Sequence, residues 1–384
     1  MSSWALFLYA KNEYIVSMRI GVVGGGASGG YLAIRLKELN KDFDVSIIER
    51  NDRLFKKITV TGNGRCNYAN LGSTVGKYNN DEFANKILNN LPAKNLLDIF
   101  DKYGIHPTQI GDLVYPVTYS AQTVVLMLEK RIKELGVDVY LNENVVDYIY
   151  KDNKYEVITN ISSHYFDALV FTSGGKAYPQ LGTNGDVINL LKRHDYKVVE
   201  PSASLCPIKV KENTKKISGQ RVKCRVYLYN KDLYYEEDGE VLLKDDGLSG
   251  IVILNMTNKI NSIPNKNNIK IVLDLAYSYK DIKEAQYEEY VPYKVASYLK
   301  ENKLDIHHLS FTFKDFYDFK VAEVTHGGIS LSNINHESLE SLKEKNLYFG
   351  GEILDVDGMC GGYNLMFAFA SAETIATSIS KKDK

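Results

Sequence analysis

The sequence predicts an α/β protein, with a parallel-sheet domain at both ends of the chain and a largely β domain inserted between them. Three observations lead there. A strand, a glycine-rich turn and an amphipathic helix run from residue 18 to 39. A second strand over 44–49 ends on an acidic residue. After a long run of β-like segments, a strand, a glycine-rich joint and an apolar helix return over 346–379.

The first unit reads "MRIGVVGGGASGGYLAIRLKEL" (18–39). Ile20, Val22 and Val23 make a short buried strand, and Leu32, Ala33, Leu36 and Leu39 recur at helical spacing. Between them Gly24, Gly26 and Gly29 spell G-x-G-x-x-G. Gly24 permits the turn, Gly26 lets the backbone approach a pyrophosphate, and Gly29 lets helix and strand pack closely. The helix start at Ala27 and Ser28 offers N–H groups and a favourable dipole to the anion. The second strand, "DVSIIE", places Glu49 twenty residues after Gly29, where a carboxylate accepts hydrogen bonds from ribose hydroxyls. Arg50 follows it. These features point to a dinucleotide. The same letters, Gly26 to Gly30, also read G-x-S-x-G, the nucleophile elbow of α/β-hydrolases, with Ser28 as nucleophile. That reading leaves Glu49 and Gly24 without a purpose, and His326 or His336 would have to complete it.

Next comes "TGNGRCNYAN" (61–70), after "LFKKI". Thr61 opens the loop, and the N–H groups of Gly62 and Gly64 can line an anion site. Arg65 offers a cation to phosphate, and Asn67 can hold the loop's shape. The loop reads as a second phosphate cradle, or as a tight turn with no ligand. Cys66 has no second Cys or His at ligand spacing, so no metal is expected. No neighbouring base marks it as a nucleophile, and a small, partly buried thiol is expected instead.

An amphipathic helix around 124–135, a parallel strand over 136–141 and a three-stranded meander over 143–166, which carries Val145 and Val146, follow in order. A buried strand, 168–172, then runs into Ser173, Gly174 and Gly175. This order is the layout of flavoproteins resembling glutathione reductase, and it favours FAD over NAD. At the far end, the strand 347–349 leads to Gly351 and Glu352, and a loop carries Asp355 and Asp357. Gly361, Gly362, Tyr363 and Asn364 then open a helix of small residues. Its N-terminus can face the flavin edge where negative charge accumulates on reduction. A C-terminal strand and helix with a glycine-rich joint is the plain alternative.

Between these parts, β-like segments at 221–230, 240–245 and 268–276 alternate with polar turns, and 280–302 reads helical. Parallel-sheet patterning is expected to return near Val321. The chain divides into an extension (1–17), a first part of the cofactor domain (18–200), an insert (201–321) and a second part (322–384).

The motifs "GVVGGGASG", "KKITVTGNGRCNYAN", "YPVTYSA", "TSGGKAYPQLGTNGD", "GLSGIVILNMT", "VTHGGISL" and "GGEILDVDGMCGGYNL" stand in order along the chain. With them the sequence resembles the bacterial flavoproteins of the YhiN/BaiN type, described as NAD(P)/FAD-dependent oxidoreductases, from Met18 to about Ser380. The resemblance implies FAD on a glutathione-reductase-like domain, and an insert with a small β-barrel and a helical part. It also implies that the loop at 61–67 lies against the FAD pyrophosphate and flavin. Substrates of the family are mostly unassigned. Some members are linked to reduction of unsaturated bile-acid intermediates, and one branch carries the label aminoacetone oxidase. This sequence departs from the pattern at Leu113, His326 and Cys360, where relatives more often carry an arginine, a small residue and a threonine.

The expected reaction is hydride transfer through FAD N5 to or from a small organic molecule. The different class that stays open is a flavin-binding sensor or scaffold without turnover. Only one dinucleotide fingerprint is present, so a nicotinamide donor, NAD(P)H, would dock transiently in the cleft between the cofactor domain and the insert. Catalytic candidates are His326, which can titrate near neutrality, Tyr178 beside Lys176, and Cys360, whose thiol pKa a helix N-terminus would lower; each also reads as a plain loop or space-filling residue.

Of the 384 residues, 47 are basic and 48 acidic, a net charge of −1, which gives no electrostatic reason to expect a nucleic-acid partner. No apolar run approaches the ~18–20 residues that span a bilayer, so no membrane partner is expected. Residues 1–17 read as a tag or an upstream start before Met18, or as a short membrane-surface anchor. The four cysteines, Cys66, Cys206, Cys224 and Cys360, form no CxxC pair, and reduced thiols in the cytoplasm are the simplest reading. The sequence assigns no oligomeric state.

Overall fold

The computed structural model describes residues 17–383, so the expected extension lies outside them except for Ser17. The chain begins with β1 (Arg19–Val23), α1 (Ala27–Leu39) and β2 (Asp44–Glu49). A 3-10 segment over Ile58–Gly64 and β3 (Ala69–Asn70) lead to α2 (Asp81–Leu88) and α3 (Ala93–Lys102). The hairpin of β4 (Pro107–Ile110) and β5 (Leu113–Pro116) pairs with β3 in a small antiparallel sheet. Helix α4 (Ala121–Glu134) returns the chain to β6 (Asp138–Leu141), parallel to β2. The meander is β7 (Val145–Lys151), β8 (Lys154–Thr159) and β9 (Ser163–Phe166). Strand β10 (Ala168–Phe171) then pairs with β1 from the other side, and α5 (Asp186–Arg193) follows.

Next come β11 (Val198–Ser204), β12 (Ile208–Val210), β13 (Arg221–Asn230), β14 (Asp232–Leu243) and β15 (Gly247–Ser249). Helix α6 (Ile251–Asn261), β16 (Lys270–Asp274), α7 (Tyr293–Glu301) and β17 (Leu309–Phe316) complete this part. Strands β12, β15, β14, β13, β16 and β17 close a barrel. Its core follows the two-residue period of a strand: Val222, Cys224, Val226 and Leu228 of β13 point in and are buried, while Arg221 and Lys223 face out. The chain ends with β18 (Val324–Ile329), β19 (Leu347–Phe349) and α8 (Tyr363–Lys382).

The main sheet runs β19-β10-β1-β2-β6, all parallel. Its central strands are covered on both faces, so β1 and β10 read as continuous apolar runs. The chain builds outward from β1 through β2 to β6, then crosses back to add β10 and β19. That reversal opens a crevice beyond the carboxyl ends of β1 and β10. Helix α8 is buried on nearly every side, and its Ala370, Ala372 and Ala376 permit close approach to its neighbours. It is tied to α1 by Arg35 Nε, 2.7 Å from Glu373 Oε2.

Three expectations need correcting. Segment 280–302 is not one helix: a 3-10 turn (Glu284–Glu289) and α7 flank Pro292, whose ring forces the preceding residue out of the helical region. The pattern returning near Val321 is not parallel sheet, because β18 pairs antiparallel with β11 as the chain leaves the barrel. Parallel pairing resumes only at β19. Helix α6, inside "GLSGIVILNMTNKIN", was not anticipated as a helix; most of it is buried, with the polar Asn255, Thr257 and Asn258 inside and Ile251 exposed, so its apolar period is blurred.

Candidate functional site

An open cleft lies at the crevice. Its floor is the turn after β1. Gly24 adopts φ +103°, and its N–H donates to Ile48 O at 2.9 Å. A Cβ on Gly29 would stand 1.9 Å from Gly24 O, so only glycine lets helix and turn approach this closely. A Cβ on Gly26 would meet nothing within 4 Å, so this backbone faces open space. Helix α1 has no side-chain cap, which leaves the N–H groups of its first turn, at Ala27 and Ser28, directed to the cleft. Ser28 Oγ and Ser173 Oγ are buried at the cleft wall without a hydrogen-bond partner.

Glu49 ends β2 and lines the cleft, though it is only 7% exposed. Its Oε2 accepts from Gly25 N–H at 2.7 Å. Its Oε1 accepts from the backbone N–H and Nδ2 of Asn51 at 2.8 and 2.7 Å. Arg50 lines the same wall, with Nη1 3.3 Å from Asp186 Oδ2. Across the cleft, α8 starts after Gly362 (φ +88°) with no side-chain cap, and Asn364, Leu365 and Ala368 face the space. Lys57 Nζ pairs with Glu352 Oε2 at 2.7 Å, and Glu352 Oε1 accepts from Thr325 N–H at 2.8 Å.

Of the expected cofactor residues, Gly24, Gly26, Ala27, Ser28, Glu49, Arg50, Thr61, Val145, Ser173, Gly174, Gly175, Glu352 and Asn364 line this one cleft. Val146, one residue on from Val145, points outward and is 43% exposed. Gly29, Gly351, Gly362 and Tyr363 stand behind the lining as packing and turn residues; Gly351 N–H donates to Ser371 Oγ at 2.9 Å, and Tyr363 Oη to Ser73 O at 3.2 Å. Asp357, also expected at the cofactor, lies off the lining and is fully buried.

The loop at 61–67 reaches the cleft through Thr61, while Gly62, Gly64, Arg65, Cys66 and Asn67 lie outside its lining. Gly62 and Asn63 take left-handed backbone, and Arg65 is exposed. Two cations do reach the cleft here, but they are Lys56 and Lys57, from the preceding "LFKKI". Cys66 is completely buried rather than partly so, and burial pushes its thiol pKa up to about 12. The Asn67 amide, oriented to satisfy its neighbours, donates to Val114 O and Ala69 O at 3.0 and 2.9 Å and accepts from Gly362 N–H at 3.2 Å. It thereby fixes the loop against the start of α8.

The three catalytic candidates all stand off the lining. His326 Nδ1 lies 2.8 Å from Asp357 Oδ1, and Asp357 is fully buried. Tyr178 is held at φ +55°, with Lys57 Nζ 6.0 Å from its ring centroid. The Cys360 thiol pKa is raised well above the ordinary value by burial, not lowered by the helix terminus. Its backbone N–H donates to Asn255 Oδ1 at 2.9 Å. The hydrolase reading fails on geometry: Ser28 Oγ has no partner, His326 is engaged with Asp357, and His336 Nε2 with Leu331 O. Sequence reasoning missed Lys57, Asn51, Glu323 and Thr325; the paired lysines of "LFKKI" were the one available signal. Among the described residues, no group of three His, Cys, Asp or Glu could hold a metal, and no helix is long and apolar enough to cross a membrane.

The family model described as "HI0933-like protein Rossmann domain" matches residues 18–378. The chain is 26% identical over 395 residues to the 3-dehydro-bile acid delta(4,6)-reductase of Clostridium scindens, covering 92% of this chain and 97% of that protein. It is 27% identical over 401 residues to the ribosomal RNA dihydrouridine synthase of Haemophilus influenzae, covering 94% and 98%. The crystal structure of a 3-ketosteroid delta1-dehydrogenase from Sterolibacterium denitrificans aligns with a TM-score of 0.54 and 11% identity, over 95% of this chain and 100% of that one. At that identity the likeness shows the fold.

Proposed function

The chain belongs to the HI0933-like Rossmann-domain family, and on that premise we propose that it is an FAD-dependent oxidoreductase that saturates a carbon–carbon double bond conjugated to a carbonyl. The observation that carries the cofactor is the open cradle at Gly26, which shares its cleft with two orphaned hydroxyls, Ser28 and Ser173, and with the uncapped start of α8 at Asn364. These groups fit FAD. The first-turn N–H groups of α1 would receive the pyrophosphate. Glu49 would accept the ribose hydroxyls, and the α8 N-terminus would face the ring edge that gains charge. Lys57 would add a cation near it. When bound, FAD supplies a hydride from N5.

The reaction class rests on what two relatives' names share. A 3-dehydro bile acid with a delta(4,6) system and a uridine base both present a double bond in conjugation with a carbonyl. The first reading is a small-molecule enone, in keeping with the chain's net charge of −1. The second is a uridine in RNA, favoured by the name of the Haemophilus relative against the expectation of no nucleic-acid partner. NAD(P)H as a transient donor, a cytoplasmic location supported by four free cysteines, and an insert spanning 201–321 belong to the same proposal.

The test is anaerobic. Purified protein is reduced with NADH or NADPH, then mixed with a 3-oxo-4,6-diene steroid acid or with unmodified ribosomal RNA. Reoxidation of the flavin by the enone, with a product two hydrogens heavier, supports the first reading. Conversion of uridine to dihydrouridine in the RNA supports the second. Reoxidation by neither would sink the reaction class, and absence of releasable FAD would sink the cofactor assignment.

A further inference from the structure

Saturating a conjugated double bond takes a proton as well as a hydride. The candidates named from sequence cannot deliver it within the cleft: His326 is turned to Asp357, and Tyr178 and Cys360 stand outside the lining. Lys57 lines the cleft but is held by Glu352. Glu323 lines it too, at the point where the chain leaves the barrel and enters β18. Among the described residues its carboxylate has no hydrogen-bond or ion-pair partner, although every other carboxylate on the cleft wall, Glu49, Glu143, Asp186 and Glu352, has one.

The backbone that carries Glu323 is fixed. Its N–H donates to Leu205 O at 3.2 Å. Two residues on, Thr325 is clamped on both sides: its N–H donates to Glu352 Oε1 at 2.8 Å, and its Oγ1 accepts from the N–H groups of Lys176 and Ala177 at 2.7 and 3.0 Å. A carboxyl group engaged by no protein partner, carried on a hydrogen-bonded backbone at the cleft wall, is free to meet a substrate proton acceptor.

We propose that Glu323 protonates the substrate's α carbon; this rests on the double-bond reduction proposed above. When bound, reduced FAD would supply the hydride that forms the new C–H bond at the β carbon, and the π electrons would move to the α carbon and carbonyl as an enolate. The Glu323 O–H bond breaks as the α C–H bond forms, and the carboxylate left behind takes a proton from water. The NAD(P)H donor of the proposal above would return the hydride spent. The surroundings suit an acid. Glu323 is exposed into the cleft, yet the protein crowded around it raises its pKa above the ordinary carboxylate range, while Lys57 pulls it down. Tyr178 and Cys360 are the other titratable groups that face it, both with raised pKa values.

The experiment compares wild type with Glu323→Gln, Glu323→Asp and Tyr178→Phe. Flavin content, and reduction by dithionite, are expected to be unchanged in all. Reoxidation of the reduced protein by the 3-oxo-4,6-diene is expected to slow roughly 10²-fold or more in Glu323→Gln, to recover in part in Glu323→Asp, and to stay near wild type in Tyr178→Phe. Reoxidation by ferricyanide, which needs no proton at carbon, should be equal in all four. A separate readout needs no turnover: in carboxyl-labelled protein, the NMR signal missing from Glu323→Gln should titrate above the ordinary glutamate range. Equal enone rates in wild type and Glu323→Gln, or a Glu323 signal at the ordinary value, would overturn the assignment and leave the function standing. A wild type that no enone or uridine reoxidises would overturn both.

Discussion

His326 Nδ1 sits 2.8 Å from Asp357 Oδ1, and Asp357 is wholly buried while His326 keeps 14% of its side chain exposed. The other oxygen, Oδ2, accepts from Ser204 Oγ at 2.8 Å and Asn258 Nδ2 at 3.0 Å. One carboxylate thus joins β18, β11, α6 and the loop before α8. Burial alone would lower the pKa of His326, but the hydrogen bond and charge of Asp357 outweigh it and raise the value, with Asp355 adding to the rise and Lys266 opposing it. The sign follows. A raised histidine pKa gives stability that is complete below the unfolded value, near 6.5, and is lost as pH rises through the folded value. Thermal unfolding of wild type and His326→Gln between pH 5 and 9 should show the largest gap at the acid end. Asp357→Ala should cost about 3–5 kcal/mol, the usual result of leaving a buried partner unpaired, measured by urea unfolding at pH 6.

The glycines of the first turn separate packing from ligand space. Gly29→Ala puts a methyl 1.9 Å from Gly24 O, against backbone that cannot yield. It should destabilise the flavin-free protein by about 1–3 kcal/mol or more and lose FAD as well. Gly26→Ala meets no protein atom within 4 Å. It should leave flavin-free stability within about 0.5 kcal/mol while FAD retention falls sharply. Equal FAD retention in Gly26→Ala and wild type would mean that the space in front of Gly26 is not the cofactor's.

The same contrast shows what the sequence made legible. Strands β1, β2 and β19, and the meander, were readable because period and punctuation agree there: apolar runs end at glycine or at a polar turn. Helix α6 was not, because it buries the polar Asn255, Thr257 and Asn258 and exposes Ile251, so polarity does not mark its outer face. The ribbon of β11 and β18 was misread because the sequence shows a strand but not its partner's direction. At the site, the local residues Gly24, Gly26 and Glu49 were found by their spacing. Lys57 lies at the start of a motif whose later residues, not its lysines, carried the reading, and Glu323 comes from a segment with no motif; only the fold brings them to one wall. Arg65 was singled out for its neighbours in "TGNGRCN", yet the left-handed turn at Gly62 and Asn63 directs it to solvent.

Glu49 holds the turn and, on this reading, the ribose. Glu49→Ala removes a charge-assisted acceptor, worth about 1.5–3 kcal/mol, so FAD affinity should fall roughly ten- to a hundredfold. The carboxylate also accepts from Gly25 N–H at 2.7 Å, so some of the loss could come from a loosened turn. Glu49→Gln keeps an acceptor for that N–H and should fall less. Titration of flavin-free protein with FAD, followed by fluorescence quenching, measures both. Unchanged affinity in Glu49→Ala with the fold intact would remove Glu49 from the ribose site.

The last comparison concerns which cation faces the cofactor. Arg65 is exposed and lies off the cleft, whereas Lys57 lines it and is oriented by Glu352 at 2.7 Å. Arg65→Ala should therefore retain FAD close to wild type, since an exposed charge off the cleft lining is well solvated and contributes little to holding an anion inside it. Lys57→Ala removes a partly buried cation and leaves Glu352, at the cleft wall, without its partner. The cleft then gains net negative charge where an anionic cofactor must bind, so FAD retention should drop by tenfold or more. Lys57→Ala/Glu352→Gln removes both charges together and should restore part of that loss. Salt discriminates further: raising ionic strength should weaken FAD binding in wild type and Arg65→Ala alike, and less in Lys57→Ala, which has lost the attraction that salt screens. The opposite order, with Arg65→Ala losing FAD and Lys57→Ala keeping it, would mean that the loop at 61–67 folds over the cofactor once it is bound.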